Sequence, residues 1–527
     1  MKNNITKTAI LALMAMPIFT SCELDQFPTT AAVDEQIWTD YDDAHKFELG
    51  LMAQFRGIAT MADFVSDIQV DYYQPGKGYG NRNGETYRWT FDSGEMAGYW
   101  SSLYSVISQV NYFLANIERT PIANEEEQKI VEHYKGEAYF IRAFCYFNLA
   151  QRYCKDYDPE TAADEQGLPI VKVVDIDGRP SRATLEETKQ FIDEDLKKAD
   201  ELFQYDEANT IDTWAESDDE NAQLKYKYYR QSMDKNVLRA FMSRYYLWTE
   251  DYDKAFDSAV ELCDGPDFPL ASSLEEFAEM WKNDAGTEFI YVPNVNQDER
   301  VNYGTYHNFS AVYTNYYGDM FGGGIFMPDF LPSKALLDAY DNADIRKTVF
   351  FETVKAVFEI SYRLFYATNI VLLNKYPGNP ALVKEGENAR YSYYNAPKPF
   401  RIAEQYLIAA EAAYKMGNEG DAIDYLTMLR DARNAGATPT TLTGDALFKV
   451  IQDEWYREFV GEGFRLNCLK RWHLGFTRSG ATQNNSIIAT DINEIAIKVE
   501  PDNKRFVWEI PTNDLETNPN IGNGNWY

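Results

Sequence analysis

The stretch RIAEQYLIAAEAAYKMGNEGDAIDYLTMLRDAR, residues 401–433, decides the fold. Its apolar residues recur every three or four positions, which is the spacing of one face of an α-helix. The pattern predicts one helix at Arg401–Lys415 and a second at Asp421–Arg433. A short polar turn joins them, and Ala422 supplies a small side chain where the second helix meets the first. We therefore expect an antiparallel helix pair of the tetratricopeptide type.

The same form recurs upstream. The turn within Leu247–Ala255 joins predicted helices near Val237–Trp248 and Tyr252–Leu262. Another helix is predicted at Thr184–Phe203, where Thr184 is the N-cap and Glu187 completes a capping box. Further helices are predicted at Tyr99–Glu118, Ile130–Leu149 and Asp445–Val460. The spacing of the pairs is irregular, so the sequence predicts a mostly α fold built from a degenerate set of helix pairs.

Two long segments between the helices have a different composition. Residues 71–98 and 286–331 are both rich in glycine and in aromatic side chains. We expect them to be irregular. Connections of that length are uncommon in compact domains unless they carry function. The two segments are therefore candidate binding surfaces.

Composition excludes several classes of protein. The chain has 527 residues, of which 45% are apolar, and a net charge of −33. Such a negative surface repels phosphate backbones and anionic membrane surfaces, so we expect no nucleic-acid partner. No internal stretch reaches 18 apolar residues, and we expect no membrane-spanning helix.

The N-terminus has the pattern of an export signal. Lys2 and Lys7 precede the apolar run of residues 9–16, and Ser21 comes directly before Cys22. A short basic region, an apolar region and a small residue before cysteine resemble a bacterial lipoprotein signal. This predicts cleavage after residue 21 and lipidation of Cys22, with an ordinary signal peptide as the alternative.

Motifs for catalysis are absent from the sequence. It has no Walker A loop, no Gly-x-Gly-x-x-Gly, no His-Glu-x-x-His and no Gly-x-Ser-x-Gly. Four histidines and five cysteines, widely spaced, make a zinc site improbable, and we expect buried free thiols after Cys22. Asp175–Gly178 resembles a fragment of a calcium loop without its closing glutamate. We therefore predict no metal site, no cofactor and no enzymatic activity.

Several ordered blocks resemble the SusD/RagB family. They are Arg401–Ala412, Leu429–Arg433, Glu454–Arg465, Leu469–Trp472, Trp508–Pro511 and Asn518–Tyr527. Weaker agreement occurs in the N-terminal half at Cys22–Asp25, Glu137–Ala143 and Gly167–Ile170. At Asn467–Cys468 the chain departs from the family, which usually has an aspartate there. The departure concerns a local packing contact.

The resemblance implies a SusD-like fold, with four tetratricopeptide-like helix pairs on one side and long irregular ligand-binding loops on the other. It divides the chain into a signal peptide at 1–21 and one domain at 22–527, with an N-terminal part at about 22–210 and a C-terminal part at about 285–527. It also implies lipid anchorage through Cys22 at the outer-membrane surface. Family members cap a SusC-like TonB-dependent transporter and deliver oligosaccharides to it for import, without being enzymes.

The ligand site is predicted in the two aromatic segments, which by position match the segments of starch-binding family members that contact sugar. Sugar rings stack on aromatic side chains, and their hydroxyls bind polar groups. The predicted contacts are Tyr72, Tyr73, Tyr79, Asn81, Arg82, Trp89, Tyr303, Tyr306, Tyr316 and Tyr317.

A second set of residues is predicted to be structural. These charged residues lie beside apolar helix faces in the family blocks, where buried ion pairs orient elements. They are Arg401, Glu404, Glu411, Glu454, Glu458, Glu462 and Arg465.

Two alternative functions remain open at this level. One is a peptide-binding, RagB-like lid of the same fold, and the less favoured one is a hydrolase. Aromatic stacking does not distinguish one glycan class from another.

Overall fold

The protein is mostly α-helical, as the sequence predicts. The computed structural model describes residues 38–76, 83–175, 177–203, 233–303, 330–361, 364–387, 392–436, 441–484 and 497–525. The signal segment and Cys22 lie outside these ranges, as do Tyr79, Asn81, Arg82, Tyr306, Tyr316 and Tyr317.

The described helices fall into an N-terminal and a C-terminal group. The first group is α1 (Tyr41–Ile58), α2 (Asp63–Gln69), α3 (Gly84–Arg88), α4 (Ser93–Asn116), α5 (Glu125–Tyr153), α6 (Leu185–Leu202), α7 (Lys235–Trp248), α8 (Tyr252–Cys263) and α9 (Leu274–Asn283). The second is α10 (Lys334–Asp338), α11 (Ile345–Val349), α12 (Ile402–Lys415), α13 (Glu419–Ala432), α14 (Gly444–Glu458), α15 (Phe464–Arg471) and α16 (Thr512–Thr517).

The described strands are short and pair in twos, all antiparallel. They are β1 (Tyr73–Pro75), β2 (Gln166–Pro169), β3 (Arg182–Thr184), β4 (Phe289–Tyr291), β5 (Val301–Asn302), β6 (Phe330–Pro332), β7 (Phe351–Ser361), β8 (Leu364–Leu373), β9 (Tyr394–Asn395), β10 (Phe400–Arg401), β11 (Phe476–Thr477) and β12 (Lys498–Val499). The pairs are β1–β6, β2–β3, β4–β10, β5–β9, β7–β8 and β11–β12.

Eight helices form one stack in which each packs against the next. In chain order they are α4, α5, α6, α7, α8, α12, α13 and α14. These eight stacked helices make four helix pairs, although α9, α10 and α11 intervene in the sequence between α8 and α12. The prediction of four tetratricopeptide-like pairs is confirmed. Aromatic contacts fill the centre of the stack, where Phe241 of α7 lies 5.4 Å from Phe140 and 5.6 Å from Phe144 of α5 between ring centroids.

The two predicted helix hairpins have the expected form. The alanines at the close approaches, Ala255 and Ala422, are fully buried. Each turn contains a residue with a left-handed backbone, Glu250 at φ 59° and Gly417 at φ 79°. The capping box of α6 is also present, because Glu187 N–H donates to Thr184 Oγ1 at 3.0 Å and Thr184 N–H donates to Glu187 at 2.8 Å.

The two aromatic segments are more regular than expected. Residues 71–98 contain β1, α3 and the first turns of α4, and residues 286–331 contain β4, β5 and the start of β6. The helix predicted from Tyr99 begins at Ser93, because Asp92 caps it and forms a capping box with Glu95. Short elements therefore interrupt the irregular chain that the sequence predicts for these segments.

Candidate functional site

The strand pair β1–β6 brings the two aromatic segments together. Its register pairs Tyr73 with Pro332, Gln74 with Leu331 and Pro75 with Phe330. The chain passes from β1 into residues 77–82 and reaches β6 from residues 304–329. The end of β1 and the start of β6 therefore lie at the same edge of this ladder.

A third segment starts beside the same ladder. The side chain of Gln483 donates to the carbonyl of Pro332 at 2.8 Å and accepts from the backbone N–H of Val371 at 2.8 Å. Asn484 donates to Thr368 Oγ1 and to the carbonyl of Asn369, both at 2.9 Å. These bonds fix Gln483 and Asn484, the last residues of their described range, between β6 and β8. We call residues 73–76, 330–332, 368–371 and 479–484 the ladder platform.

Arg478 supports the platform from below. Its buried guanidinium donates to the carbonyls of Ile68 at 3.0 Å, Gln69 at 2.8 Å and Val70 at 2.9 Å. It also lies 3.8 Å from the centre of the Tyr87 ring, which packs on Phe330. The Arg478 side chain thereby holds the end of α2, the end of α3 and the strand β6 together. We call these three elements the base of the platform. The sequence contained no motif that marks Arg478, Gln483 or Asn484.

Four of the predicted ligand contacts are core side chains in the structure. Tyr72, Tyr73, Trp89 and Tyr303 are 0%, 1%, 6% and 5% exposed. Burial raises the pKa of Tyr72, Tyr73 and Tyr303, so their hydroxyls stay neutral. Because no face of these rings is open, their burial favours a packing role over stacking on a sugar.

Each of these buried aromatic residues holds a part of the base. Tyr72 donates to the carbonyl of Tyr456 at 3.0 Å, and Trp89 donates to the carbonyl of Gln69 at 2.6 Å. The Tyr303 ring stacks on Tyr376 at 4.1 Å, directly before the segment 304–329 begins. The six other predicted contacts lie outside the described residues, and their role stays a prediction.

A buried ion-pair hub lies next to the platform. Glu458 at its centre accepts from Arg346 at 3.0 Å, Arg401 at 2.9 Å and Arg433 at 3.1 Å. Glu462 binds the other side of Arg401 at 2.8 Å. All five side chains are buried, and the hub joins α11 and β10 to the end of α13 and to α14.

Glu454 extends the hub towards the surface. Its carboxylate lies 2.6 Å from Arg346 and accepts from Arg430 at 2.8 Å and from Arg457 at 2.6 Å. Burial by itself raises the pKa of Glu454, but the three arginines together lower it to about 2. The carboxylate is therefore ionised and fully paired, so it is not available as a general acid or base.

The remaining predicted structural residues also form ion pairs. Glu404 pairs with Arg244 at 2.5 Å, and Glu411 pairs with Arg471 at 2.8 Å. Arg465 pairs with Asp71 at 3.1 Å, and both are partly exposed. The prediction that the charged residues of the family blocks make buried or half-buried ion pairs is confirmed. At the departure from the family pattern, Asn467 accepts from Arg152 and donates to Gln151 at 3.0 Å.

The turn after α14 links the hub to α2, whose end also binds Arg478. The buried carboxylate of Asp67 accepts from the backbone N–H of Gly461 at 2.6 Å and of Gly463 at 3.1 Å. Gly463 has φ 72°, and a Cβ there would lie 2.7 Å from Asp63 Cα. Only glycine fits this close approach, which gives a physical reason for the glycine in the block Glu462-Gly463-Phe464-Arg465.

Other buried acids do not make a catalytic centre. Burial raises the pKa of Glu137 to about 8, although the backbone N–H of Met233 donates to it at 2.7 Å. Burial and the charge of Glu137 raise the pKa of the neighbouring Glu48. Both carboxyls are buried between α1 and α5, so no substrate reaches them.

A polar cavity of about 60 Å³ lies beside the hub, lined by Asp63, Arg152 and Glu404 among others. It is far smaller than the roughly 300–1,000 Å³ of most ligand pockets and holds no room for a sugar ring.

The metal and thiol chemistry of the described residues is also limited. Among the residues that the structure describes, no group of three or more histidine, cysteine or acidic side chains could hold a metal ion. Cys145, Cys154, Cys263 and Cys468 are free thiols. Burial raises the pKa of Cys154 to about 11, so its thiol is not activated. None of the helices within the described ranges is long and apolar enough to cross a membrane.

Two family models match this chain. One, described as "Starch-binding associating with outer membrane", matches residues 49–218, and the other, described as "SusD family", matches residues 351–527. Together they cover most of the chain. The chain belongs to the SusD/RagB family.

Individual SusD-like proteins agree along most of its length. SusD-like protein P38 of Formosa agariphila is 23% identical over 88% of this chain and 90% of its own. Starch-binding protein SusD of Bacteroides thetaiotaomicron is 31% identical, over 24% of this chain and 21% of its own.

Solved structures share the fold. A SusD superfamily protein from Bacteroides thetaiotaomicron has a TM-score of 0.69 at 23% identity, covering 92% of this chain and 99% of its own. A putative sugar-binding protein from Bacteroides vulgatus has a TM-score of 0.68 at 23% identity, covering 92% and 97%. SusD-family proteins are binding proteins associated with the outer membrane, in agreement with the sequence prediction.

Proposed function

We propose that this SusD-family protein is a cell-surface lipoprotein that binds a glycan, caps a SusC-like TonB-dependent transporter and delivers the glycan for import. The observation that carries the proposal is the ladder platform. It joins the two aromatic, glycine-rich segments at one edge, in a chain whose family models are described as starch-binding and SusD. Membership of the family supports the class of function, and the platform supports our proposal for its location.

The chemistry of the two segments suits an oligosaccharide. Aromatic rings offer flat apolar faces to the C–H faces of a sugar, while amide and guanidinium groups bind its hydroxyls. We assign these contacts to Tyr79, Asn81, Arg82, Tyr306, Tyr316 and Tyr317. Tyr72, Tyr73, Trp89 and Tyr303 support them from the core, because their rings are buried in the base of the platform.

The anchor and the transporter belong to the same proposal. Two or more acyl chains on Cys22 hold a protein at a membrane surface stably, whereas one chain does not. A protein anchored in this way stays close to an outer-membrane transporter while its body remains free to move. A site that faces the transporter then encloses the ligand between the two proteins.

Binding without turnover is consistent with the site. The buried acids of the described residues are either paired with arginine or closed off from solvent. Incubation of the purified protein with a bound oligosaccharide should leave the chain length of the oligosaccharide unchanged. Cleavage that co-purifies with the protein would instead favour the hydrolase alternative.

Calorimetry of the protein against a panel of oligosaccharides and peptides tests the ligand class. We expect a glycan to bind with a dissociation constant on the order of micromolar to millimolar, since such sites are shallow and wet. Saturable binding of peptides and of no glycan would favour a RagB-like peptide lid. A Tyr316→Ala variant serves as the site control, and Tyr139→Ala, on the distant helix α5, serves as its matched control.

A further inference from the structure

A surface groove lies between α1 and α4, and none of its lining residues belongs to the ladder platform. Its volume is about 580 Å³, within the roughly 300–1,000 Å³ that is usual for binding clefts. Phe47 and Leu51 form the wall from α1, Tyr112 and Phe113 form the wall from α4, and Lys46 lies at the rim. The groove is therefore apolar inside and carries at its edge the exposed ammonium of Lys46, which lies 3.4 Å from Asp43.

Two parts of the groove leave room for another chain: the surface over Gly50 and the edge near Val173 and Val174. Gly50 lies within α1, and a Cβ built there would meet no atom within 4 Å. A glycine inside a helix is unfavourable and often allows the close approach of another backbone. Val173 and Val174, beside the groove, are 65% and 47% exposed. Open apolar surface of this kind marks an interaction site.

The described chain begins beside this groove. The ring of Trp38, the first described residue, stacks on Phe47 at 4.4 Å and meets the edge of Phe113 at 5.7 Å between centroids. Both partners line the groove. Because Trp38 packs against the groove, the 37 residues that precede it join the described chain beside the groove.

The residues directly before Trp38 match the groove in chemistry and reach. Val33 and Ile37 are apolar, and Asp34 and Glu35 between them are acidic. An extended chain of five residues spans up to about 17 Å. The groove extends along α1 from Lys46 to Leu51, a rise of only about 7.5 Å.

We propose that residues 33–37 of this chain dock in the groove. Val33 and Ile37 bind between α1 and α4 over Gly50, and Asp34 and Glu35 lie beside the ammonium of Lys46. The consequence rests on the proposed anchor at Cys22. Docking shortens the free tether from residues 23–37 to residues 23–32, and thus its maximal reach from about 50 Å to about 35 Å.

Disulfide trapping tests the docking independently of lipidation. Full-length chains carry Cys22→Ala, Val33→Cys and one further cysteine, either Ser108→Cys in the groove or Glu275→Cys on α9 as the remote control. Both of these positions are exposed. Under mild oxidation we expect intrachain cross-linking of the Ser108→Cys pair to be at least tenfold faster than that of the Glu275→Cys pair.

A matched pair of glycine substitutions tests the groove itself. Gly50 and Gly57 both lie in α1 with open space at Cβ, but only Gly50 lines the groove. Gly50→Leu should slow the Ser108→Cys cross-link at least fivefold, and Gly57→Leu should leave its rate unchanged. Equal rates for the two cysteine pairs, or no effect of Gly50→Leu, would overturn the proposal. Cross-links between chains would assign the groove to a second copy instead.

Discussion

Neutralising Glu454 tests whether the ion-pair hub holds the fold together. The carboxylate is fully buried and contacts Arg346, Arg430 and Arg457 within 2.8 Å. Its pKa falls from 4.5 to about 2 in the folded protein. A difference of about 2.5 units, at about 1.4 kcal/mol each, corresponds to roughly 3 kcal/mol of stability at pH 7. Breaking a buried ion pair costs a similar amount, about 3–5 kcal/mol.

The substitution Glu454→Gln keeps the shape of the side chain and removes its charge. We expect it to lower the free energy of unfolding by about 3 kcal/mol at pH 7, measured by urea denaturation, which leaves ion pairs unscreened by salt. Asp453→Asn is the matched control. Asp453 pairs with Lys449 at the surface, both being more than a third exposed, so the control should change stability by less than about 0.5 kcal/mol.

The pH dependence of the stability difference between the parent and the Glu454→Gln variant gives a second test of the role of this carboxylate. Because the folded pKa of Glu454 is lowered, its stabilisation is complete above the unfolded pKa of 4.5 and is lost as the pH falls towards 2. The parent should lose roughly 1 kcal/mol of its advantage over the Gln variant by pH 4, and more by pH 3.5. The assignment of Glu454 as a stabilising, ionised carboxylate would be refuted by a stability difference between parent and variant below about 1 kcal/mol at pH 7. A difference that does not change down to pH 3.5 would refute it as well.

Three further predictions follow from burial, proton binding and the anchor. Trp89→Ala should destabilise the protein by about 3–5 kcal/mol in urea, because its buried ring packs on Phe506. Tyr316→Ala should weaken glycan binding instead, and the reverse pattern in the two assays would contradict these roles. Burial raises the pKa of Glu137 to about 8, so the stability it contributes is lost as the pH rises from 4.5 to 8. Glu137→Gln should therefore be more stable than the parent at pH 8 and equal to it near pH 4.5, and an equal difference at both pH values would be evidence against a buried neutral acid. Cys22→Ala should release the protein from the membrane fraction of cells that lack the transporter, and full retention there would contradict lipid anchorage.

The helices could be predicted from the sequence because their signals are local. These signals are the three-four spacing of apolar residues, the capping pair Thr184 and Glu187, and the alanine at each close approach. The residues that form any one signal lie within a few positions of one another. Each predicted helix is present in the structure, with ends that differ by a few residues. The hairpin β7–β8 also carried a local signal, the alternation of Val354, Ala356 and Phe358, which the helical analysis did not use.

The environment of single side chains was decided by the tertiary structure. An aromatic residue in a glycine-rich segment gives the same sequence pattern whether its ring is exposed or buried. In the structure, the core contains Tyr72, Tyr73, Trp89 and Tyr303. Their burial depends on partners that are remote in the chain, such as Tyr456 for Tyr72. Spacing along the sequence contains no information about such a contact.

The sequence by itself determined the family, the helical class and the pairing character of the charged residues in its C-terminal blocks, because these depend on residue types at short, fixed spacings. Only the tertiary structure decided which distant segments come together in the ladder platform. The ladder of β1 with β6 joins positions more than 250 residues apart, and the side chain of Gln483 ties a third segment to it by hydrogen bonds to backbone groups. Every residue except proline carries the same backbone N–H and C=O groups, so the partner of a strand cannot be read from its own residues, and the platform exists only once the chain has folded.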